Sequence, residues 1–356
     1  MLSKVYFIKV SDSESVQEIA GKFSRLLKES GCLDFIRKDD LAVVKLHFGE
    51  GGNKGFVRPE YVRVACDAVL KSGGRPVLSD TNTLYCGRRM NSRDHLALAK
   101  EHGFTKESTL GEVVIPDERE PGNVARVALN GKFIKTAKIV KLFRDADAIV
   151  DIAHFKGHMM TGFGGVLKNI GMGCATREGK LAQHSDVSPL VHIDNCTGCG
   201  ACVKVCPVNA VTLKEKKSCI DAKLCIGCAS CIAACKFYAI DVDWEPGGST
   251  IQEKMIEYAK AVLIDKLHKS VFINFAIKIT KECDCLAKDD PRIVPDVGIF
   301  VSRDAVSCDK AALDTVIGES KKDIFKESHP RRDGSKQLEY AAAIGLGSLD
   351  YELIKL

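Results

Sequence analysis

Within residues 191–241 the chain nearly repeats itself: CTGCGACVKVCPVNAV is answered by CIGCASCIAACKFYAI, and each copy spaces its cysteines C-x2-C-x2-C-x3-C. Short gaps let three thiolates of one loop take three corners of a cubane cluster. The fourth cysteine, carried round the following turn, reaches the other cluster in the bacterial two-cluster pattern. Two [4Fe–4S] clusters are therefore expected, one on Cys196, Cys199, Cys202 and Cys235, the other on Cys225, Cys228, Cys231 and Cys206. Gly198, Gly200 and Gly227, with Ala229, keep the loops small enough for backbone N–H groups to approach sulfur. Pro207 turns the chain after the first copy, where the second has Lys236. A pair of zinc ribbons is the competing account, but it leaves the third and fourth cysteines of each copy unexplained.

Sixteen cysteines in 356 residues suggest a disulfide framework only in a short secreted chain, and this one can bury an ordinary core without staples. MLSKVYFIKV lacks the basic start and long apolar run of a signal peptide, and no apolar run approaches roughly 18 residues. A soluble, cytoplasmic chain that does not enter a membrane is expected. The formal charge of +5 counts every cysteine as neutral. Each thiolate-bound cluster brings roughly −2 when oxidised, which reduces the balance to roughly +1 and argues against a nucleic-acid partner.

Either side of the cysteine tract, apolar runs alternate with amphipathic stretches, the rhythm of an α/β fold with a mostly parallel sheet and covering helices. Strands are expected at 5–10, 41–48, 75–80, 148–155, 271–279 and 297–302, and helices at 13–30, 58–74, 249–267 and 304–318. Neither flank carries a low-complexity linker. A small α+β ferredoxin-like two-cluster domain, 190–243, is thus expected to interrupt one α/β domain formed by 1–189 and 244–356, although a string of three domains fits as well.

Two glycine-rich polar segments follow predicted strands, where open parallel sheets bind ligands. HFGEGGNKGFVRPE offers His47 and Glu50; HFKGHMMTGFGGVLKN offers His154, Lys156, His158 and Lys168, with Gly162, Gly164, Gly165 and Asn169 as a candidate anion cradle at a helix start. Neither segment has Walker or Rossmann spacing. Asp80, Thr81, Asn82 and Arg88 follow a third strand, Asp304 and Asp309 a fourth. Any single histidine is as easily a cap or core polar group, but the coincidence of strand end, glycine and cation occurs twice. Cys32, Cys66 and Cys308 sit in apolar helical surroundings, as small buried residues do. Cys283 and Cys285, in ECDC, point both thiols one way, for turn packing or a third metal site.

KLHFGEGGN, SDTNTLYCGRR, HFKGHMMTGFGGVLKNIGMGC, ECDC and PDVGIFVSRDAVSCDKAALD, around the cysteine tract, resemble the family known as domain of unknown function 362, in the branch of anaerobes where a two-cluster ferredoxin module interrupts the domain. The resemblance covers essentially the whole chain and implies no reaction. The combined expectation is an oxidoreductase that passes electrons from a partner protein, through the clusters, to a small anionic substrate or second cofactor, with His47, His154, His158 and Lys168 orienting it or supplying protons. The alternatives are a non-enzymatic electron carrier or adaptor, and a non-redox enzyme braced by structural clusters.

Overall fold

Residues 2–85, 87–120, 122–184, 189–241 and 250–356 are described by the computed structural model of the chain. Eight strands, β1 (Ser3–Lys9), β2 (Leu41–Lys45), β3 (Arg75–Ser79), β4 (Glu112–Val114), β5 (Ala148–His154), β6 (Ser270–Ala276), β7 (Gly298–Ser302) and β8 (Tyr351–Lys355), form one sheet in the order β8-β1-β7-β6-β5-β2-β3-β4. Neighbours run parallel from β6 to β4, with Val43 of β2 facing Val77 of β3 and Ile149 of β5. β7 is antiparallel to both β1 and β6, so the sheet is mixed. The end of β7 therefore lies on the opposite edge from those of β6, β5, β2 and β3. Periodicity of two identifies a strand but not its direction, which the hydrogen-bonded partners decide.

Alternate residues of the central strands enter opposite cores. Ala148, Val150 and Ile152 join the core under helices α1 (Val16–Ser30) and α2 (Pro59–Lys71), whereas Ile149 and Ala153 join the one under α3 (Val166–Gly173), α5 (Ile251–Leu263) and α6 (Ala305–Ser320). Local chemistry fixes several boundaries. Ser15 and Glu18 form a capping box at the start of α1, Gly31 ends that helix at φ 61°, and Pro59 opens α2. Between α3 and α5 lies α4 (Arg177–His184), outside the helices expected from the apolar pattern.

The cysteine tract is a small α+β unit whose apolar cluster also takes in Leu84 and Leu181. Leu190–Val191 pairs with Ile240–Asp241 and Val211–Lys214 with Lys217–Ile220, beside short helices Ala201–Lys204 and Ser230–Ala234. Its expected second boundary, 243/244, lies outside the described residues, as does Cys86. Among the described residues no helix is long and apolar enough to cross a membrane.

Candidate functional site

Four parallel strands, β6-β5-β2-β3, deliver their following loops to one edge, where they enclose a cavity of about 550 Å³, within the range of small-molecule sites. Its wall includes His47, Lys156, His158, Gly165, Lys168 and Asn169 from the anticipated set. At its floor the fully buried Lys45 sets its ammonium 3.1 Å from Asp80 and 2.7 Å from Asn169 Oδ1. Burial alone would raise the Asp80 carboxyl, but Lys45, His47, His95 and Arg89 outweigh it and hold the group low. Arg89 reaches both Glu50, at 3.3 Å, and Asp80, at 3.5 Å. Arg88, anticipated for the pocket, instead pairs with Glu101 on the surface. Adjacent arginines point apart, and sequence gave no means of choosing between them.

His47 accepts a hydrogen bond from the Gly49 N–H through Nδ1, which leaves the proton of the neutral ring on Nε2. Burial, then the nearby Arg89, pulls its pKa well below the ordinary value, and burial with Lys168 pulls His158 to about 4. Proton supply by histidines titrating near neutrality is therefore a corrected expectation. Both rings are neutral hydrogen-bonding groups. The lining group displaced towards neutrality is Lys180 of α4, lowered to about 8 by burial, with Arg89 and Lys45 adding to this against Asp80 and Glu118. Its ammonium donates to Thr81 Oγ1 at 2.6 Å.

His154 stands behind the wall rather than in it. Its Nδ1 lies 2.9 Å from the Asp284 carboxylate, which also pairs with Lys156 at 3.5 Å. Asp284 therefore anchors the loop from below, while the flanking Cys283 and Cys285 face the cavity. Cys283 has its thiol pulled well down, first by the hydrogen bond from Cys285, then by Lys168, Lys156 and His158 against the effect of burial. Cys285 is pushed up in turn, as the donor of that bond.

The glycine-rich turn is a cradle, but a carboxylate of the chain already lies in it. Val166 and Leu167 donate their N–H groups to Asp309 at 2.8 and 3.0 Å, and Asn274 donates to the same carboxylate at 2.7 Å. Gly165 is needed because a Cβ there would lie 2.2 Å from Asp309 Oδ1. The expected anion cradle is thus corrected to an internal cap. Asn169 is likewise committed, donating 2.6 Å to Asp151. Gly162 and Gly164 instead form one side of a hairpin, paired with His158 and Lys156. Asp304 caps α6 through the Ser307 N–H, on the opposite edge from the cavity because β7 runs antiparallel.

Six cations, Lys45, Arg89, Lys156, Lys168, Lys180 and Arg332, line the cavity against the single carboxylate of Asp80, among the described residues. Such a wall attracts an anion. Arg89, Tyr85, Lys180, His184 and Arg332 were not anticipated. They arrive from a third strand end, from α4 and from the C-terminal region, and only the tertiary fold brings them together.

In the cysteine unit, Cys196, Cys199, Cys202 and Cys235 line one small cavity, and Cys206, Cys225, Cys228 and Cys231 another. Backbone N–H groups point at sulfur: Ser218 to Cys196 at 3.3 Å, Ala210 to Cys206 at 3.2 Å, Gly227 to Cys225 at 3.5 Å and Ala239 to Cys235 at 3.3 Å. These donors stabilise thiolate charge, and with four soft ligands round each cavity the residues fit an iron–sulfur group. Gly198 and Gly227 adopt φ 70° and 67°, and a Cβ on Gly198 would strike the Lys216 carbonyl at 2.2 Å. Leu84 of the cavity wall and Leu181, next to Lys180, pack in the same apolar cluster as Cys196, Cys202, Cys231 and Cys235.

The family described as Domain of unknown function (DUF362) matches residues 42–314, most of the chain. The chain belongs to the DUF362 family. Over 38 residues this DUF362 chain is 53% identical to the ferredoxin-type protein NapF of Haemophilus influenzae, a stretch covering 11% of the chain and 22% of that protein. Together with the cysteine pattern, this similarity suggests iron–sulfur binding. The chain is also similar to two solved structures. One is the lactate racemase apoprotein from Thermoanaerobacterium thermosaccharolyticum, with 16% identity, a TM-score of 0.39, and coverage of 76% of this chain and 50% of that one. The other is a Thermotoga maritima protein with 14% identity, a TM-score of 0.44, and coverage of 88% and 61%. The DUF362 chain thus spans less than two thirds of the length of each of these relatives.

Proposed function

We propose that the chain is an iron–sulfur oxidoreductase in which a ferredoxin-type module, inserted at about 190–243, feeds electrons to a small anionic substrate in the strand-end cavity. The observation that carries this reading is the shared wall: Leu84 and the α4 segment Lys180–Leu181 touch the cavity on one side and the cysteine cluster on the other. Two [4Fe–4S] clusters on the eight cysteines would supply single electrons. Lys168, Lys180 and Arg332 bind the anion, neutral His47 offers its Nε2 hydrogen, and Lys180, titrating near 8, delivers a proton to the reduced product.

The test uses the anaerobic, cluster-loaded chain reduced with dithionite and mixed with a panel of reducible carboxylates and phosphate esters, following the electron paramagnetic resonance of the reduced clusters. At least one anion should speed cluster reoxidation, and Lys180→Met should slow that step at unchanged iron content. If the clusters cycle reversibly but no anion reoxidises them, the relay is wrong.

A second reading has an observation of its own. Leu224, Ile226, Phe237 and Tyr238 beside the cysteine loops are 53%, 52%, 46% and 61% exposed, an apolar rim of the kind a protein partner covers. In an adaptor that rim would be the functional surface. In the oxidoreductase it receives the electron donor.

A further inference from the structure

His158, Cys283 and Cys285 have no part in that relay. Their ligand atoms all lie within 4.8 Å of one another, and among the described residues they are the one group of three histidine, cysteine or acidic ligands found so close together. We infer that they form a binding site for a soft divalent cation, zinc in particular, whose fourth position opens into the strand-end cavity and takes a carboxylate or phosphate oxygen. This inference does not depend on the clusters feeding that cavity.

Tetrahedral zinc, with sulfur at about 2.3 Å and nitrogen at about 2.0 Å, sets its ligands roughly 3.5–3.8 Å apart. From separations of at most 4.8 Å, the three atoms therefore need to close by about 1.3 Å at most. Two thiolates and an imidazole are a ligand set that selects zinc over hard cations such as magnesium, and three protein ligands with one open position distinguish a catalytic zinc site from a closed structural one. All three residues line the cavity, so the open position faces it.

The backbone holds the ligands from both sides. Gly157 donates 2.9 Å to the Thr280 carbonyl, and a Cβ there would lie 2.2 Å from the Lys281 carbonyl, so only glycine lets the His158 hairpin lie against the cysteine loop. Asp284, between the two cysteines, is tied to His154 and Lys156, and its carbonyl accepts the Glu50 N–H at 2.9 Å. Such supports position first ligands in metal sites.

The histidine also has a suitable outer partner. Thr161 donates its hydroxyl to the Phe163 carbonyl at 2.7 Å, so the same oxygen, 3.1 Å from His158 Nδ1, can accept an Nδ1 hydrogen and free the other ring nitrogen. The Met160 N–H, 3.2 Å from Nδ1, favours the opposite tautomer. Cation binding selects between these two hydrogen-bond states.

Charge decides the fourth ligand. Two thiolates neutralise a divalent ion, but Lys168 lies 3.9 Å from Cys283 and leaves the loaded site with excess positive charge. An anionic oxygen cancels it, in agreement with the cationic wall.

Zinc chloride is titrated anaerobically into the full, cluster-loaded chain, and X-ray absorption is recorded at the zinc edge, which iron does not obscure. The expected result is one tightly bound zinc per chain, with two sulfur and one nitrogen ligands at about 2.3 and 2.0 Å and an oxygen completing the shell. Cys283→Ser and His158→Gln should each weaken zinc binding at least tenfold at unchanged iron and sulfide content. Zinc bound by four sulfurs, no tight zinc, equal affinity in the variants, or a Cys283–Cys285 disulfide in the freshly isolated chain would each overturn the assignment. Because the wild-type absorption spectrum alone can do so, the test survives a variant that fails to fold.

Discussion

The cysteine unit gathers its ligands between residues 196 and 235, and each position has a counterpart 29 residues on: Cys196 and Cys225, Gly198 and Gly227, Cys206 and Cys235, Ala210 and Ala239. The strand-end cavity gathers Lys45, Arg89, Lys156, Lys180, Cys283 and Arg332, separated by most of the chain and joined by sheet order. In the first region spacing nearly determines geometry, because short gaps restrict where a thiolate can point. In the second, residue type and approximate strand end are local, but several partners come from distant elements, as when Lys45 meets Asn169 and Lys156 meets Asp284. The first region is accordingly sensitive to which residue is a ligand, and the second to how close the backbones come.

The largest effect that would separate the regions is at Cys235. It lines the cavity of Cys196, Cys199 and Cys202 although it sits in the other copy of the repeat. Cys235→Ser should remove about four of about eight irons per chain, and the surviving spectrum should belong to the cluster beginning at Cys225. Iron and sulfide analysis with electron paramagnetic resonance checks this. Loss confined to the Cys225 cluster would mean that each repeat closes its own site, and the comparison with a purely local motif would then be complete.

A smaller effect is expected on the other side of the comparison, at Gly165. An alanine Cβ would stand 2.2 Å from Asp309 Oδ1 and displace a buried carboxylate that accepts from Val166, Leu167 and Asn274. Unsatisfied helix N–H groups and overpacking together should cost about 2–4 kcal/mol. Urea unfolding of Gly165→Ala at unchanged iron content measures it. A loss under about 0.5 kcal/mol would show that the cap is slack.

That cap also illustrates how far sequence reasoning carries. The α/β class, six of the eight strands of the main sheet, helices α1, α2, α5 and α6, and His47, Lys156, His158 and Lys168 at one edge followed from apolar period and strand-end position. The reversal of β7 did not, since its VGIFVS looks alike in either direction. Asp309 stands out in the sequence only as an acid beyond a strand; that it fills the glycine turn depends on α6 returning across β6. The choice of Arg89 over Arg88 and the inward face of α4 depend on packing in the same way.

The smallest expected effect is one of pH, and it sharpens the comparison because the cysteine unit should not share it. Lys180 is buried without a carboxylate at salt-bridge distance among the described residues, its ammonium donating to Thr81 Oγ1. Burial lowers its folded pKa to about 8, against an ordinary value of 10.5. For a depressed base the sign runs one way. Between about pH 8 and 10.5 the unfolded chain holds a proton that the folded chain has lost, so this residue's contribution to stability rises with pH across that window. Anion affinity in the cavity runs oppositely, because the cation that attracts the ligand disappears as pH passes about 8. Phosphate binding, measured by calorimetry on the cluster-loaded chain, should weaken severalfold between pH 7 and 9, about 1 kcal/mol for one lost charge contact. Lys180→Met should bind phosphate weakly at both values and lose that step, while cluster content stays constant. A step that persists in the variant would assign it to another group, such as the ligand's own ionisation, and would remove Lys180 from the anion site.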